Sequence, residues 1–257
     1  MRIATWNVNS VMARLPRLLA WLDDTAPDVV CLQETKLADA AFPTAEVEAL
    51  GYEVASHGDG RWNGVALLSR VRIDNVARGL VDEPGFAAVE TRAIGGTCAG
   101  VRLWSVYVPN GREPEHEHYI YKLAWLEALR VTLSQDLDTH DRLAVLGDFN
   151  VAPTDDDVWD RSRFDGSTHV TEPERAGLAA LRELDLQDVI PRPLKYDHPF
   201  TYWDYRAGAF HKNLGMRIDL VYATAAVVIE VQDAYVDREA RKGTGPSDHA
   251  PVVVDLA

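Results

Sequence analysis

Leu143-Ala-Val-Leu-Gly-Asp-Phe-Asn150 is the stretch that decides the fold. Leu143 to Leu146 is an apolar run of strand length, too short for a helix. It breaks at Gly147, where the missing side chain lets the backbone bend closely. Asp148 and Asn150 follow at the exit. In extended backbone residues two apart face the same side, so this pattern predicts a carboxylate and an amide that point together and orient one water. An apolar strand ending in an acid is how an α/β protein presents reacting groups, rigid and open to solvent. The competing reading of the same residues is an Asx-rich turn in which Asn150 caps its neighbour.

The surroundings repeat one plan. Trp104 to Val108 reads as a strand ending at Pro109-Asn110-Gly111, and Leu123, Leu126, Leu129, Leu133 and Leu137 form a helical stripe before Leu143. Near the N-terminus, residues 2–8 alternate into a strand. Residues 13–24 carry Leu15, Leu18, Leu19 and Leu22 at helical spacing, with Pro16 tolerable in a first turn. Pro27-Asp28 ends that helix, and Val29 to Leu32 is a buried strand that delivers Glu34. Strand, helix and acid-tipped strand therefore occur twice, about 110 residues apart. The pattern predicts two similar half-folds that bring their strand ends together. Because any α/β chain contains strand–helix–strand units, this expectation rests on pattern and not on sequence identity.

Further strands are expected at 54–55, 64–68, 88–92 and 252–256, and a helix at 173–185 behind a capping box from Thr171 to Glu174. Residues 191–217, rich in Pro, Gly and aromatics, read as a long functional loop region. Neither a linker nor a low-complexity tract divides the chain, so 1–257 is read as one domain. Short strands among long helices favour an α/β (α+β) fold with a sheet-on-sheet core and helices outside.

Composition narrows the class. No stretch approaches the ~20 apolar residues that span a bilayer, so no membrane partner is expected. The start, MRIATWNVNS, lacks the pattern of a signal peptide. Cys31 and Cys98 have no motif spacing, and Cys31 reads as a buried free thiol suited to a reducing cytoplasm. The formal charge of −14 argues against a nucleic-acid partner, which normally wants a basic face. Net charge is a weak witness, however, because binding follows local potential. Of 26 basic residues 21 are Arg, a side chain that makes bidentate phosphate contacts.

Four segments carry the chemistry: Trp6-Asn7, Gln33-Glu34-Thr35, Gly147-Asp148-Phe149-Asn150 and Ser247-Asp248-His249. They offer an oxygen-rich set with one imidazole, suited to a hard divalent cation and a phosphate ester. Glu34 with Asn7 nearby fits the preference of Mg²⁺ for one or two carboxylates plus waters. His249 can donate to a phosphate oxygen. Its orienting acid is expected to be remote in sequence, with Asp219 at the start of an apolar strand as the candidate. Tyr107, Asn110 and Arg112 line one turn and could each hold a phosphate oxygen. His116, His118 and His211 are read as solvent-facing.

Taken together, Trp6-Asn7, Leu-Gln-Glu-Thr-Lys at 32–36, Gly-Asp-Phe-Asn at 147–150 and Ser-Asp-His-Ala-Pro at 247–251 resemble the exonuclease III family of abasic-site endonucleases. That family lies within the endonuclease/exonuclease/phosphatase superfamily. The narrower likeness rests also on Gly64 to Leu68, Trp203 to Arg206 and Arg217 to Leu220. The resemblance runs from residue 2 to residue 256. It implies a four-layer α/β sandwich of two mixed sheets with helices outside.

It also implies roles. Glu34 would be the principal ligand of Mg²⁺ or Mn²⁺, with Asn7 and Asp248 supporting the metal or its waters. Asp148 would orient and deprotonate the attacking water. Asn110 and Asn150 would position nucleophile and phosphate. Tyr107 would contact the phosphate or the leaving group, and His249 with Asp219 would hold the phosphate. Asp148 and Asn150 are assigned to a metal site in some relatives, so one metal or two is left open. Asn9 stands where some relatives carry an acid. Tyr202, Trp203 and Met216 match positions that line a pocket for an extruded abasic sugar, and Arg112 joins them as a substrate contact.

The implied activity is metal-dependent cleavage 5′ to an abasic site, leaving a 3′-hydroxyl, with 3′–5′ exonuclease and 3′-phosphatase activity. The implied partner is double-stranded DNA with abasic sites or blocked 3′ ends. The expected state is a cytoplasmic, nucleoid-associated monomer. Two alternatives share the residues: a superfamily phosphoesterase for inositol phosphates, lipid head groups or RNA, and a non-catalytic nucleic-acid-binding relative.

Overall fold

The computed structural model describes residues 1–257. Twelve strands alternate with helices: β1 (Arg2–Asn7), β2 (Val29–Gln33), β3 (Glu53–His57), β4 (Val65–Ser69), β5 (Ile73–Arg78), β6 (Ala93–Cys98), β7 (Val101–Tyr107), β8 (Leu143–Asp148), β9 (Gln187–Asp188), β10 (Asp219–Ala223), β11 (Val231–Val236) and β12 (Val252–Leu256). Six α-helices accompany them: α1 (Val11–Thr25), α2 (Thr44–Glu48), α3 (Glu117–Leu137), α4 (Glu172–Arg182), α5 (Ala209–Lys212) and α6 (Ala225–Val228).

The strands form two six-stranded sheets, ordered β11-β12-β1-β2-β4-β3 and β5-β6-β7-β8-β10-β9. Each sheet holds one parallel pair at its centre, β1 with β2 and β7 with β8, and every other pairing is antiparallel. The repeated plan in the sequence is thus realised as two equivalent parallel units, bridged by α1 and α3.

Alternation explains the layers. Ile3, Val29, Cys31 and Leu67 of the first sheet meet Leu103, Leu146 and Val221 of the second in the central core. The intervening residues face outward under the helices. Ala4, Trp6, Val30 and Leu32 receive Leu18 and Leu22 of α1. Trp104, Val106 and Val145 receive Trp125 and Leu129 of α3. Strands covered on both faces read as continuous apolar runs, which is why Val29–Leu32 and Leu143–Leu146 lack polar alternation.

Some boundaries differ from the sequence reading. Helix α1 starts at Val11, capped by Ser10, so Pro16 lies past the first turn and removes one internal bond. The capping box of Thr171 and Glu174 is present, but α4 stops at Arg182 and Asp185 turns left-handed at φ 60°. Residues 88–92 form no strand. Val89 is exposed there, and pairing with β7 begins only at Ala93 opposite Val106. The 191–217 region is irregular apart from a short turn and α5.

One buried ion pair fastens the helices to the strand ends. Lys122 of α3 is fully buried beside Glu174 of α4. Its ammonium also donates to the carbonyls of Asn150 (2.7 Å) and Asn110 (3.2 Å), and to Thr168 Oγ1 (3.3 Å). Burial disfavours the Glu174 carboxylate, yet Lys122, the Thr168 hydroxyl and the His169 N–H outweigh it and hold this group at about 2. Lys122→Met leaves that charge buried without a cation, so urea unfolding should show a loss of about 3–5 kcal/mol. Lys122→Met with Glu174→Leu should recover much of it. A single variant within about 1 kcal/mol of the parent would contradict this account.

Candidate active site

The carboxyl ends of both parallel pairs open at the same seam. Asn7 closes β1 and Glu34 follows β2; Tyr107 closes β7 and Asp148 closes β8. Asp219 starts β10 directly opposite Asp148, and Asp248-His249 lead into β12. Gly147 makes the last step possible, because a Cβ there would fall 1.9 Å from the Val106 carbonyl oxygen.

The Asn7 amide joins the acids of the two sheets. Asn7 Nδ2 donates to Glu34 Oε1 and to Asp148 Oδ2, both at 2.9 Å. His249 Nδ1 donates to Asp219 Oδ2 at 2.8 Å, and its Nε2 lies 3.8 Å from Asp148 Oδ2. Ser247 Oγ donates to the Asn7 carbonyl (2.7 Å) and accepts from the His249 N–H (3.2 Å). Thr201 Oγ1 accepts from the N–H groups of Ile218 and Asp219, each at 3.1 Å.

Charge compensation is tight. Burial pushes Asp148 up to about 7; His249 opposes, while Asp219 and Glu34 add to the rise. Burial disfavours a charged His249, but the carboxylates of Asp219 and Asp148 outweigh it and hold the imidazole at about 10, so it is a cation at neutral pH. Glu34 stays below the usual carboxylate range, because Lys36 and the Asn7 amide overcome burial. Burial and the facing Glu34 carboxylate keep Tyr107 a neutral phenol, its ring under the Arg92 guanidinium at 4.7 Å.

Asp148 and Asn150 are neighbours by a turn and not by extended geometry. Asn150 adopts φ 51°, and its N–H donates to Asp148 Oδ1 at 2.9 Å, the Asx arrangement the sequence left as the alternative. The Asn150 amide donates to the Val108 carbonyl (3.0 Å) and accepts from Asn110 Nδ2 (3.2 Å). Asp248 joins through Asn9, whose Nδ2 donates to Asp248 Oδ1 at 3.1 Å. Tyr202 packs on His249 with ring centroids 4.9 Å apart, beside buried Met216 and Ile218.

Arg112 is exposed, with its guanidinium turned toward His116 and Phe86. Two expectations need correction. Trp203 is fully buried against Phe210 and presents no surface to a substrate. His118 is buried, because its Nδ1 accepts the Gly111 N–H at 3.2 Å while Phe86 and Tyr121 cover the ring. The sequence reading missed Thr201, Lys122 and His169. Lys122 was visible as the one cation within Tyr-Ile-Tyr-Lys-Leu-Ala-Trp. His169, at φ 81° and 3.2 Å from both Asn110 Nδ2 and Asn150 Oδ1, carried no local signal.

Residues 4–249 match the model of the endonuclease/exonuclease/phosphatase family. The chain belongs to this family. It is 30% identical to exodeoxyribonuclease III of Haemophilus influenzae, over 98% of each chain. Among solved structures, the 3′ phosphatase NExo from Neisseria, bound to product DNA hairpin, superposes with a TM-score of 0.96 at 35% identity, covering 100% of this chain and 99% of that one. An AP endonuclease from Archaeoglobus fulgidus gives 0.92 at 34%, with the same coverage. The two mixed sheets with outer helices are the fold of these neighbours.

For an exonuclease III relative the residues must accommodate a divalent cation, and two clusters compete. Ligating atoms of Asp148, Asp219 and His249 lie within 4.8 Å of one another. There, however, His249 Nδ1 is committed to Asp219, and a protonated imidazole already fills the place of a cation. The other cluster fits better. Glu34 Oε2 and Asn9 Oδ1 converge on the Lys36 ammonium at 2.7 and 2.5 Å, with Asp248 adjoining through Asn9. Oxygen donors that include a carboxylate suit a hard cation, and the Lys36 ammonium, on a flexible and partly exposed stem, can give way to one where buried His249 cannot.

The His249–Asp219 pair makes a measurable claim. The His249 ring protons should show no imidazole titration between about pH 6 and 8, only the smaller shift from Asp148 ionising at about 7 beside them, because the raised His stays protonated there. In Asp219→Asn they should titrate within that window. Stability from a raised His is complete below about 6.5 and lost as pH climbs through the folded value, so the parent should weaken toward pH 10. A parent His249 that titrates near 6.5 would refute the pairing.

Proposed function

We propose that this chain is a divalent-metal-dependent DNA repair phosphodiesterase that incises 5′ to abasic sites and trims blocked 3′ ends. The observation that carries the reading is the single Asn7 amide joining Glu34 and Asp148 at the seam of the two sheets. Phosphodiester hydrolysis needs an acceptor for the water proton, a donor set for the phosphate oxygens and help for the leaving oxygen. Asp148, lifted toward neutrality, takes the water proton as the new P–O bond forms. Cationic His249, Asn110 and Asn150 hold the phosphate oxygens. The neutral Tyr107 phenol donates to the phosphate or to the oxygen whose bond to phosphorus breaks.

A Mg²⁺ or Mn²⁺ ion would be held by Glu34, with Asn7 and Asp248 ordering its waters, and would supply neutralisation of the phosphate charge. Asn9 in place of an acid lowers the negative charge of this site. Half-buried Tyr202, packed on His249 and backed by buried Met216 and Ile218, is the apolar surface beside His249 that suits a sugar without a base. The likeness to a 3′ phosphatase at TM-score 0.96 supports the 3′-end activity beside incision. No helix is long and apolar enough to cross a membrane. We place the protein as a monomer in the cytoplasm with the nucleoid.

Two duplex oligonucleotides test the reading, one with an internal abasic site and one with a recessed 3′-phosphate. Both should be processed with Mg²⁺ or Mn²⁺ and neither with chelator. Glu34→Ala and Asp148→Asn should each lower turnover by at least ~10²-fold, the scale of losing a key base or electrostatic group. Chelator-resistant cleavage, or near-parental turnover in Asp148→Asn, would reject the assigned roles.

A further inference from the structure

The segment that carries Tyr202 to His249 also walls a second cavity, of about 280 Å³, lined by none of the catalytic candidates. Its walls are aromatic: Tyr196, His198, Phe200, Phe210 and Tyr235. His198 stacks on Phe200 at 5.6 Å and 11°, so buried Phe200 supports a flat and exposed imidazole plate. The cavity is also cationic within a chain of charge −14, with four Arg and Lys side chains facing it against Asp237 and Glu239.

Those cations are not equally free. Arg192 is tied to Asp233 by bonds of 2.6 and 3.0 Å, and Lys242 is paired with Glu239. Lys195 has no ion pair; its ammonium lies 5.3 Å from the Tyr196 ring centroid. The Arg238 guanidinium sits 4.3–4.6 Å from the rings of Phe210, Trp203 and Tyr196. Asn213 Oδ1 and the Phe210 carbonyl fix it with bonds of 2.8 Å each, leaving donors unused. The exposed His198 ring, beside an unpaired ammonium and an ordered guanidinium, forms a stacking platform with a phosphate clamp. The volume is at the small end of ligand pockets, room for one nucleotide and not for a strand.

We propose that this cavity binds a single nucleoside monophosphate, its base stacked on the exposed His198 ring and its phosphate held by Lys195 and Arg238. The inference does not rest on the reaction proposed above. Calorimetric titration of the whole chain with dAMP in chelator should saturate with a Kd below about 1 mM. Lys195→Glu, an exposed change that should leave thermal unfolding unaltered, should weaken binding at least tenfold. His198→Ala should weaken it at least threefold. Glu34→Ala should bind as the parent does, and inorganic phosphate and deoxyadenosine alone should each bind more weakly than dAMP. The proposal fails if dAMP does not saturate, if Lys195→Glu binds like the parent, if Glu34→Ala abolishes binding, or if only an oligonucleotide binds.

Discussion

One neutral amide sets the terms for this molecule. Glu34 belongs to one sheet and Asp148 to the other, and both carboxylates lean on Asn7 Nδ2. Two buried acids this close repel, and each would take up a proton if left alone. Asn7 relieves that repulsion without adding charge, and the remaining negative charge is met at the edges by the Lys36 ammonium and the His249 imidazolium. The resulting gradient is chemically useful. Glu34 remains a carboxylate, while Asp148, deeper and beside Asp219, is lifted toward neutrality. Two identical functional groups thereby acquire different tasks through environment alone.

The amide can make this bridge only if both sheets end their parallel strands at the same level. That follows from the two equivalent units. In each, a strand passes through a helix to a parallel neighbour, so both strands of a pair end on the same side. The pairs occupy the third and fourth places of each six-stranded sheet, which sets the seam at the centre of the sandwich. Gly147 then brings the β8 backbone against Val106, where a Cβ would clash with the Val106 carbonyl, so any larger residue must displace the strand end next to Asp148. Behind the seam, Lys122 holds the Asn110 and Asn150 carbonyls from below and so fixes the amides that border Asp148.

What the sequence disclosed follows from range. The apolar runs of β1, β2, β7 and β8, the leucine stripe of α3 and the capping box of α4 are local patterns, and all are found in the fold. Acids at strand ends were visible for the same reason. The Asp219–His249 pairing was inferred by elimination, since adjacent residues point apart. The left-handed turn at Asn150 was harder, because the Asn side chain permits such a backbone without demanding it. Buried His118 and unexposed Trp203 depended on what covers them: Phe86, 32 positions away, in one case, and Phe210, brought back by the irregular segment between them, in the other. His169 reaches Asn110 across 59 positions, a distance over which composition and spacing say nothing.

The charge balance constrains recognition as well. Many of the 21 arginines serve the architecture: Arg2 binds Asp255, Arg102 binds Asp136, and fully buried Arg217 joins Asp157 and Asp188. Cations locked in this way are not free to meet phosphates, and an acidic surface repels an extended backbone. Affinity that depends on counterion release scales with the number of phosphates neutralised, so a long intact duplex gives this chain little. Under the proposed function the seam would work by other means: the amides of Asn110 and Asn150, the Tyr107 phenol and one enclosed imidazolium. Neutral donors fixed in place lose little to salt and much to misplacement. Under the proposed function, a surface that holds DNA loosely and a cleft built for one phosphate would favour sites where the backbone is already exposed, a missing base or a strand end, over ordinary duplex.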